Sequence, residues 1–313
     1  MTTKSHQSVI SRLMMACFLM FVTARTALAG PVEFWAPRQV LLGEPFLVQV
    51  KVWGEADRCT LSWRGRNVPV ELRDAGDGLL EGVALLGTDA ARKPAVGELL
   101  KVWVASQEVR FVSRWTIDVL PKVYPSEHLT VTSSMVHPPT SVHERIAKER
   151  IRLRAALNTV TDRRLWSLPF LRPVLGTISS PYGFRRIYNG IPRRRHSGTD
   201  FRAPVGTPVR CAASGRVILT GNFYYVGRAV YVDHGQSVIS MYFHLSEIAV
   251  REGQMVNAGD ILGVSGKSGR VTGPHLHFGV ALGGRLVDPM PLLMGDEGTM
   301  LAETTIGRSK SKP

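Results

Sequence analysis

Four of the nine histidines, together with one aspartate, fall in three short motifs within 82 residues of this 313-residue sequence. His196-Ser197-Gly198-Thr199-Asp200 offers an imidazole and a carboxylate, both good ligands for zinc, with small residues between them that let the chain curl round an ion. His275-Leu276-His277 is a pair two residues apart. On a strand that spacing puts both rings on one face and Leu276 into the opposite layer, so one ring can bind metal while its neighbour handles protons. His244, in Met241-Tyr242-Phe243-His244-Leu245, closes an apolar run from which a strand could deliver it to the same face. Each motif alone would read as structural. Together they supply two histidines and a carboxylate, a known catalytic zinc set that leaves one position open for water, so the count fits metal-assisted hydrolysis.

Neighbouring residues carry weaker signals. Tyr242 is a candidate further donor, with a packing role equally compatible with its strand position. Gly263 to Gly269 lacks the Gly-Lys-Ser/Thr ending and following helix of a phosphate loop. His234, before Gly235 at a strand end, reads as structural. Arg193-Arg194-Arg195, directly before His196, either attracts anionic groups to the mouth of the site or is a solvated loop. His128, His137 and His143 have no regular spacing and read as linker histidines.

The elements that must position these residues form a mainly β chain in two parts. From Val32 to about Val123, short alternating runs such as Phe46-Leu47-Val48-Gln49-Val50-Lys51-Val52-Trp53 between Gly, Pro and Asp-Gly punctuation predict an immunoglobulin-like β-sandwich over 30–123. That stretch has no histidine and reads as an accessory module for docking or regulation. Residues 124–165 are an irregular linker followed by a connector helix, with Ser141 as N-cap and Glu144 three residues on. Residues 166–294 carry β-branched runs and dense turn signals, which predict an antiparallel sheet domain. Residues 295–313 lack hydrophobic density and read as a disordered tail.

Lys4 and Arg12, the apolar run from Leu13 to Val22 and Ala27-Leu28-Ala29 describe a secretory signal peptide over 1–29. The run is too short to cross a bilayer as a helix, so no stable membrane insertion is expected after cleavage. Cleavage would take three basic residues and no acidic one from a net charge of +14, leaving +11. Such a charge suits polyanionic partners, and export makes nucleic acid the least fitting of them. Cys17 would leave with the leader, and Cys59 and Cys211, in different parts, read as buried free thiols.

The region from Thr177 to Leu293 resembles the lysostaphin-type, or LytM-like, zinc metallopeptidases. The resemblance runs through Ser180-Pro181-Tyr182-Gly183-Phe184-Arg185, His196-Ser197-Gly198-Thr199-Asp200, Val232-Asp233-His234-Gly235, Tyr242-Phe243-His244-Leu245, Gly263-Val264-Ser265-Gly266-Lys267-Ser268-Gly269 and Thr272-Gly273-Pro274-His275-Leu276-His277-Phe278. It implies Zn2+ held by His196, Asp200 and His277, with His275 and His244 acting on the water and the transition state. It also implies peptidoglycan stem or bridge peptides as substrate, in the periplasm, cell envelope or outside the cell, with a regulatory protein partner reached through the N-terminal module. The competing reading is a non-enzymatic activator of wall hydrolases. Relatives of that kind lack parts of the metal set, which this sequence retains.

Overall fold

The computed structural model describes residues 32–106 and 110–302. The expected leader and the chain end from 303 lie outside them. The first part is two sheets packed face to face. One runs in the order Val32–Trp35, Pro45–Trp53, Leu79–Gly87, Arg73–Asp74; the other in the order Gln39–Leu41, Arg110–Leu120, Ala95–Ala105, Arg58–Trp63, Arg66–Val70. Val48, Val50, Ala84 and Leu86 from the first meet Leu61, Trp63, Leu100, Val102 and Ile117 from the second in one buried cluster. The alternation in 46–53 is thus the ordinary inward and outward period of a strand.

That alternation hides a second burial. Leu47, Val83 and Leu85, on the outer face of the first sheet, join the cluster formed by Phe201, Phe278, Val280, Leu282 and Val287 in the following part. Three such side chains represent roughly 5–8 kcal/mol of apolar burial, comparable to the stability of a whole domain. Hydrogen bonds cross the same seam: Asp288 N donates to Gly43 O at 2.7 Å and Ala90 N to Tyr182 Oη at 3.1 Å, the tyrosine itself donating to Leu286 O at 2.7 Å on its own side. The sandwich is packed against the second part as one body rather than hung from a linker.

The second part is built on a ten-stranded sheet whose path runs Ile178–Ser180, Thr199–Arg202, His275–Leu282, Val238–Ile248, Gly227–Asp233, Gly215–Phe223, Met255–Val256, all antiparallel. Leu276, Phe278 and Val280 face one core cluster. Ile239, Met241, Phe243 and Ala281 face another, against the helix His143–Leu157 through Leu153, Ala156 and Leu157. A strand with both faces covered reads as a continuous apolar run, which is why Val238 to Leu245 shows little alternation.

Three expectations are corrected. The helix begins at His143 after a 3-10 turn over Thr140–Val142, so Ser141 is not its N-cap, and no side chain caps it. Its first turns are held instead by Glu144–Lys148 at 2.6 Å and Arg145–Glu149 at 2.7 Å. The linker is not wholly irregular: Ser126–Leu129 is a strand pairing in parallel with Arg185–Tyr188, which pairs with Ile191–Arg195. A four-residue strand whose partner lies 59 positions away leaves little periodic signal. The end of structure set at Gly295 is too early, because Glu297–Ala302 is helical, Met300 is buried in the main cluster and Asp296 Oδ1 accepts from Thr299 N at 2.7 Å. Cys59 and Cys211 are free and buried, their thiols pushed up by burial to about 12 and about 11. Among the described residues no helix is long and apolar enough to cross a membrane.

His234 is fully buried between Ser214 O at 2.8 Å and Ser240 Oγ at 2.7 Å, and burial pushes its pKa down to about 4. Unfolded, it titrates near ~6.5. Its contribution is therefore complete above that pH and is lost as pH falls towards 4, about 2 kcal/mol by pH 5. Urea unfolding of the metal-free protein at pH 7.5 and pH 5 should show this loss, and His234→Asn should flatten it. An equal pH dependence in both would contradict the assignment.

Candidate metal centre

Strand register brings the ligands together. Asp200 lies opposite His277 and Arg202 opposite His275, while Phe243 lies opposite His277 on the other side. His196 sits just before the Thr199–Arg202 strand, its N–H on Phe184 O at 2.8 Å and its carbonyl accepting from Gly183 N at 2.9 Å. Gly198 lets the two segments close: a Cβ there would stand 2.3 Å from Phe278 O and 2.7 Å from His277 Nε2. The outcome is a buried triplet. His196 Nε2 is 3.0 Å from Asp200 Oδ1 and 2.9 Å from His277 Nδ1, and His277 Nδ1 is 2.9 Å from Asp200 Oδ1.

The donor set fits a small divalent cation. His196 Nδ1 lies 2.8 Å from Pro181 O, which can only accept, so that nitrogen carries the proton and Nε2 presents a lone pair. The His277 ring stacks on Phe243 with centroids 4.9 Å apart and planes 3° apart, which fixes its orientation. Its burial, opposed by the Asp200 hydrogen bond, pushes its pKa down to about 4, so the ring is neutral at neutral pH. Burial alone would raise the Asp200 carboxyl, but the His196 and His277 rings outweigh it and hold the group well below the usual range. Ligand nitrogens and oxygens of a tetrahedral ion at about 2.0–2.1 Å stand about 3.3 Å apart. The separations found are within a few tenths of an ångström of that spacing.

His275 and His244 stand beside the triplet, ring centroids 4.8 Å apart. His275 Nε2 is 3.7 Å from Asp200 Oδ1, and His275 Nδ1 is 2.9 Å from Gly273 O. His244 Nδ1 is 2.8 Å from Ser268 O, on the Gly263 to Gly269 segment, which forms the Ile261–Ser265 strand and a loop. Both Nδ1 atoms therefore donate to carbonyls, which leaves each Nε2 without a hydrogen-bond partner among the described residues. Burial, then His275 and His277, pushes the His244 pKa down to about 3. Its φ is +65°, a left-handed conformation that costs a non-glycine residue about 1 kcal/mol or more and often marks functional sites.

Tyr242 belongs to the opposite layer. It is wholly buried, accepts from Ala212 N at 2.7 Å and from Ser240 Oγ at 3.0 Å, and is a packing residue. Of the three arginines before His196, Arg193 donates to Val136 O at 2.7 Å and Arg195 to Gly183 O at 3.1 Å, so two of them tie down the hairpin. His143 Nε2 lies by Pro138 O, and His128, His137 and His143 have no place in the triplet.

Sequence reasoning missed the support behind Asp200. Arg186 is buried, donates from Nη2 to Asp200 Oδ2 at 2.8 Å and to Ser180 Oγ at 2.9 Å, and is ion-paired through Nε with Glu127 at 3.1 Å. Glu127 also accepts from Ser180 Oγ at 2.8 Å. Arg186 thereby occupies the Asp200 oxygen that does not face the histidines, and Glu127, from the short linker strand, holds Arg186. The only sequence signal was the place of Arg186 directly after the Ser180–Arg185 motif, because nothing local connects Glu127 to it. Such outer partners are worth about 10–100-fold in metal affinity. Arg186→Met should weaken zinc binding in that range and Glu127→Gln by about tenfold, as read by chelator competition on folded protein. Unchanged zinc affinity in both would refute this role.

A buried His-Asp-His triplet on an antiparallel sheet, flanked by two histidines with free Nε2 atoms, defines a metallopeptidase-type site. The profile described as Peptidase family M23 matches residues 194–289, which contain all five residues. A crystal structure of a putative peptidase M23 from Pseudomonas aeruginosa is 30% identical, superposes with a TM-score of 0.59, and is matched over 81% of this chain and 94% of its own. The chain belongs to peptidase family M23. An 81% match reaches well beyond the peptidase region and takes in part of the preceding sandwich. Among curated relatives, peptidoglycan DD-endopeptidase ShyA of Vibrio cholerae is 45% identical over 36% of this chain and 26% of its own length. DD-carboxypeptidase/endopeptidase Mpg of Neisseria meningitidis is 38% identical over 40% and 29%. The chain thus spans little more than a quarter of these relatives.

Proposed function

We propose that this protein is an exported zinc metalloendopeptidase that hydrolyses peptide cross-links or bridge peptides of bacterial peptidoglycan. The observation that carries the proposal is the convergence of His196 Nε2, Asp200 Oδ1 and His277 Nδ1 within 3.0 Å beside two histidines that present bare Nε2 atoms. The names of the relatives, DD-endopeptidases of the wall, supply the substrate class.

His196, Asp200 and His277 would hold the zinc, which when bound would supply Lewis acidity to a water and to a scissile carbonyl. His275, nearer Asp200 and partly exposed, accepts the proton of the attacking water at Nε2 and returns it to the leaving amine. His244, kept neutral by burial, accepts a hydrogen bond from that water and orients it. Arg186 keeps Asp200 turned towards the histidines. The complete residue set argues against a purely regulatory role.

The N-terminal sandwich is read as an immunoglobulin-like module that docks the enzyme or meets a regulatory partner in the periplasm or cell envelope. Its removal through residue 140 would also delete Glu127, so the loss of the module is compared with Glu127→Gln in the full chain. Purified sacculi incubated with zinc-loaded protein and then digested with a muramidase should yield uncross-linked muropeptides in place of cross-linked ones, identified by mass spectrometry. Intact cross-links after exhaustive digestion would overturn the reading.

A further inference from the structure

The seam between the sandwich and the large sheet concentrates cations that the proposed hydrolysis does not use. Arg64, Arg66, Asp89, Arg92, Gly284 and Arg285 line a cavity of about 230 Å³. Arg64 and Gly65 form the two-residue turn closing the pair Trp63↔Arg66, with φ of +46° and +77°. Asn, Asp or Gly is the favoured occupant of such a first position, and an arginine there is strained. Arg285 comes from the facing side, directly after the Gly283-Gly284 turn that closes Leu282↔Arg285. Its Nη2 donates to the Arg64 carbonyl, which ties the two turns together.

The charges are not balanced within the chain. Arg64 has Glu98 at 3.4 Å, while Arg66, Arg92 and Arg285 have no carboxylate within ion-pairing distance among the described residues. Asp89 Oδ1 is engaged by Ala91 N at 2.8 Å. Arg64 Nη1 and Arg285 Nε are buried and make no hydrogen bond, a desolvation cost left uncompensated within the chain. Burial, and then Arg64, Arg92 and Arg66, lowers the Arg285 pKa, which registers the mutual repulsion. Two orphaned donors and three unpaired guanidinium groups would be satisfied by one multivalent anion, and the turn that carries Arg64 is what presents its side chain to the cavity.

We propose that this cavity binds a phosphate group, as a phosphomonoester or diphosphate, at the junction of the sandwich with the peptidase region. A single carboxylate would leave two of the three unpaired cations without a counter-charge. A phosphate carries about −1.5 to −2 and three strong acceptor oxygens, and the guanidinium fork matches it in two-point contacts. The cavity is smaller than the roughly 300 Å³ at which drug-sized sites begin. It holds a charged head, with the rest of the molecule outside along the exposed Arg66 and Arg92. Arg285 pairs at the Leu282 end of the strand that begins with His275, about 23 Å away at strand rise. The site is therefore separate from the metal centre, and its test does not depend on peptidase activity.

The test titrates the full chain with inorganic phosphate by calorimetry, and separately sediments it with phosphatidylcholine vesicles with and without phosphatidic acid. The variants are Arg66→Gln/Arg92→Gln, both exposed side chains, and Arg285→Gln, with Arg251→Gln as a charge-matched control elsewhere on the surface. Saturable phosphate binding that falls at least tenfold in the cavity variants and less than twofold in the control supports a free phosphate ligand. Binding confined to phosphatidic acid vesicles, lost in the same variants, supports a lipid headgroup. No saturable binding in either arm, binding unchanged in the cavity variants, or an equal loss in Arg251→Gln overturns the proposal.

Discussion

His277→Ala is expected to strip the metal and bring hydrolysis of sacculi to background. Structural zinc sites bind with about 10–16 kcal/mol from four ligands, so one ligand is worth about 3–4 kcal/mol, or about 10²–10³ in affinity. The His277 ring also closes the triplet, its Nδ1 2.9 Å from both His196 Nε2 and Asp200 Oδ1, and its stack on Phe243 holds it in that orientation. Metal content after dialysis against a weak chelator, with the release of peptides from sacculi, measures both effects. His196→Ala should behave in the same way. Full zinc content or wild-type release in either variant would sink the assignment of this triplet.

His275→Ala should separate what His277→Ala joins. The ring lies 3.7 Å from Asp200 through Nε2 and hangs on Gly273 O through Nδ1, so it touches the site without being needed to close the triplet. Zinc content should stay near one per chain while turnover falls by about 10²–10⁴, the range for loss of a positioned general base. The side chain is 15% exposed, so its truncation opens no sealed cavity and stability should move by less than about 1 kcal/mol. A parallel loss of zinc and activity would instead make His275 a ligand. Together the two variants distinguish metal binding from proton handling, a division that the shared strand face of both rings conceals.

The candidate metal-binding residues were legible in the sequence because their grouping rests on short-range geometry, while the choice of His277 over His275 came from the family resemblance. A pair two apart on a strand must face one way, and Leu276 does enter the opposite core. Small residues between His196 and Asp200 must let the chain fold back, and Gly198 leaves no room for a Cβ. The support behind Asp200 was not legible. Glu127 and Arg186 meet through a parallel pairing between segments 59 positions apart, and no periodic pattern marks a four-residue strand.

The sandwich shows the same division. Alternation from Phe46 to Trp53 announced a strand with one inward face, whereas Leu47, Val83 and Leu85 bury the other face against the peptidase region. Whether an outward Leu meets water or a second core is decided by what packs there. Tyr242 and His244 make the point within one strand: sequence placed both near the site, but only the tertiary fold sends the tyrosine to Ala212 and the histidine, at φ +65°, to the side of His275. The sequence by itself determined which residues could bind a metal, because side-chain chemistry and nearest-neighbour spacing are local properties. The tertiary structure alone decided which of them converge, which are supported from behind and where the unpaired arginines gather, because those depend on contacts between segments far apart in the chain.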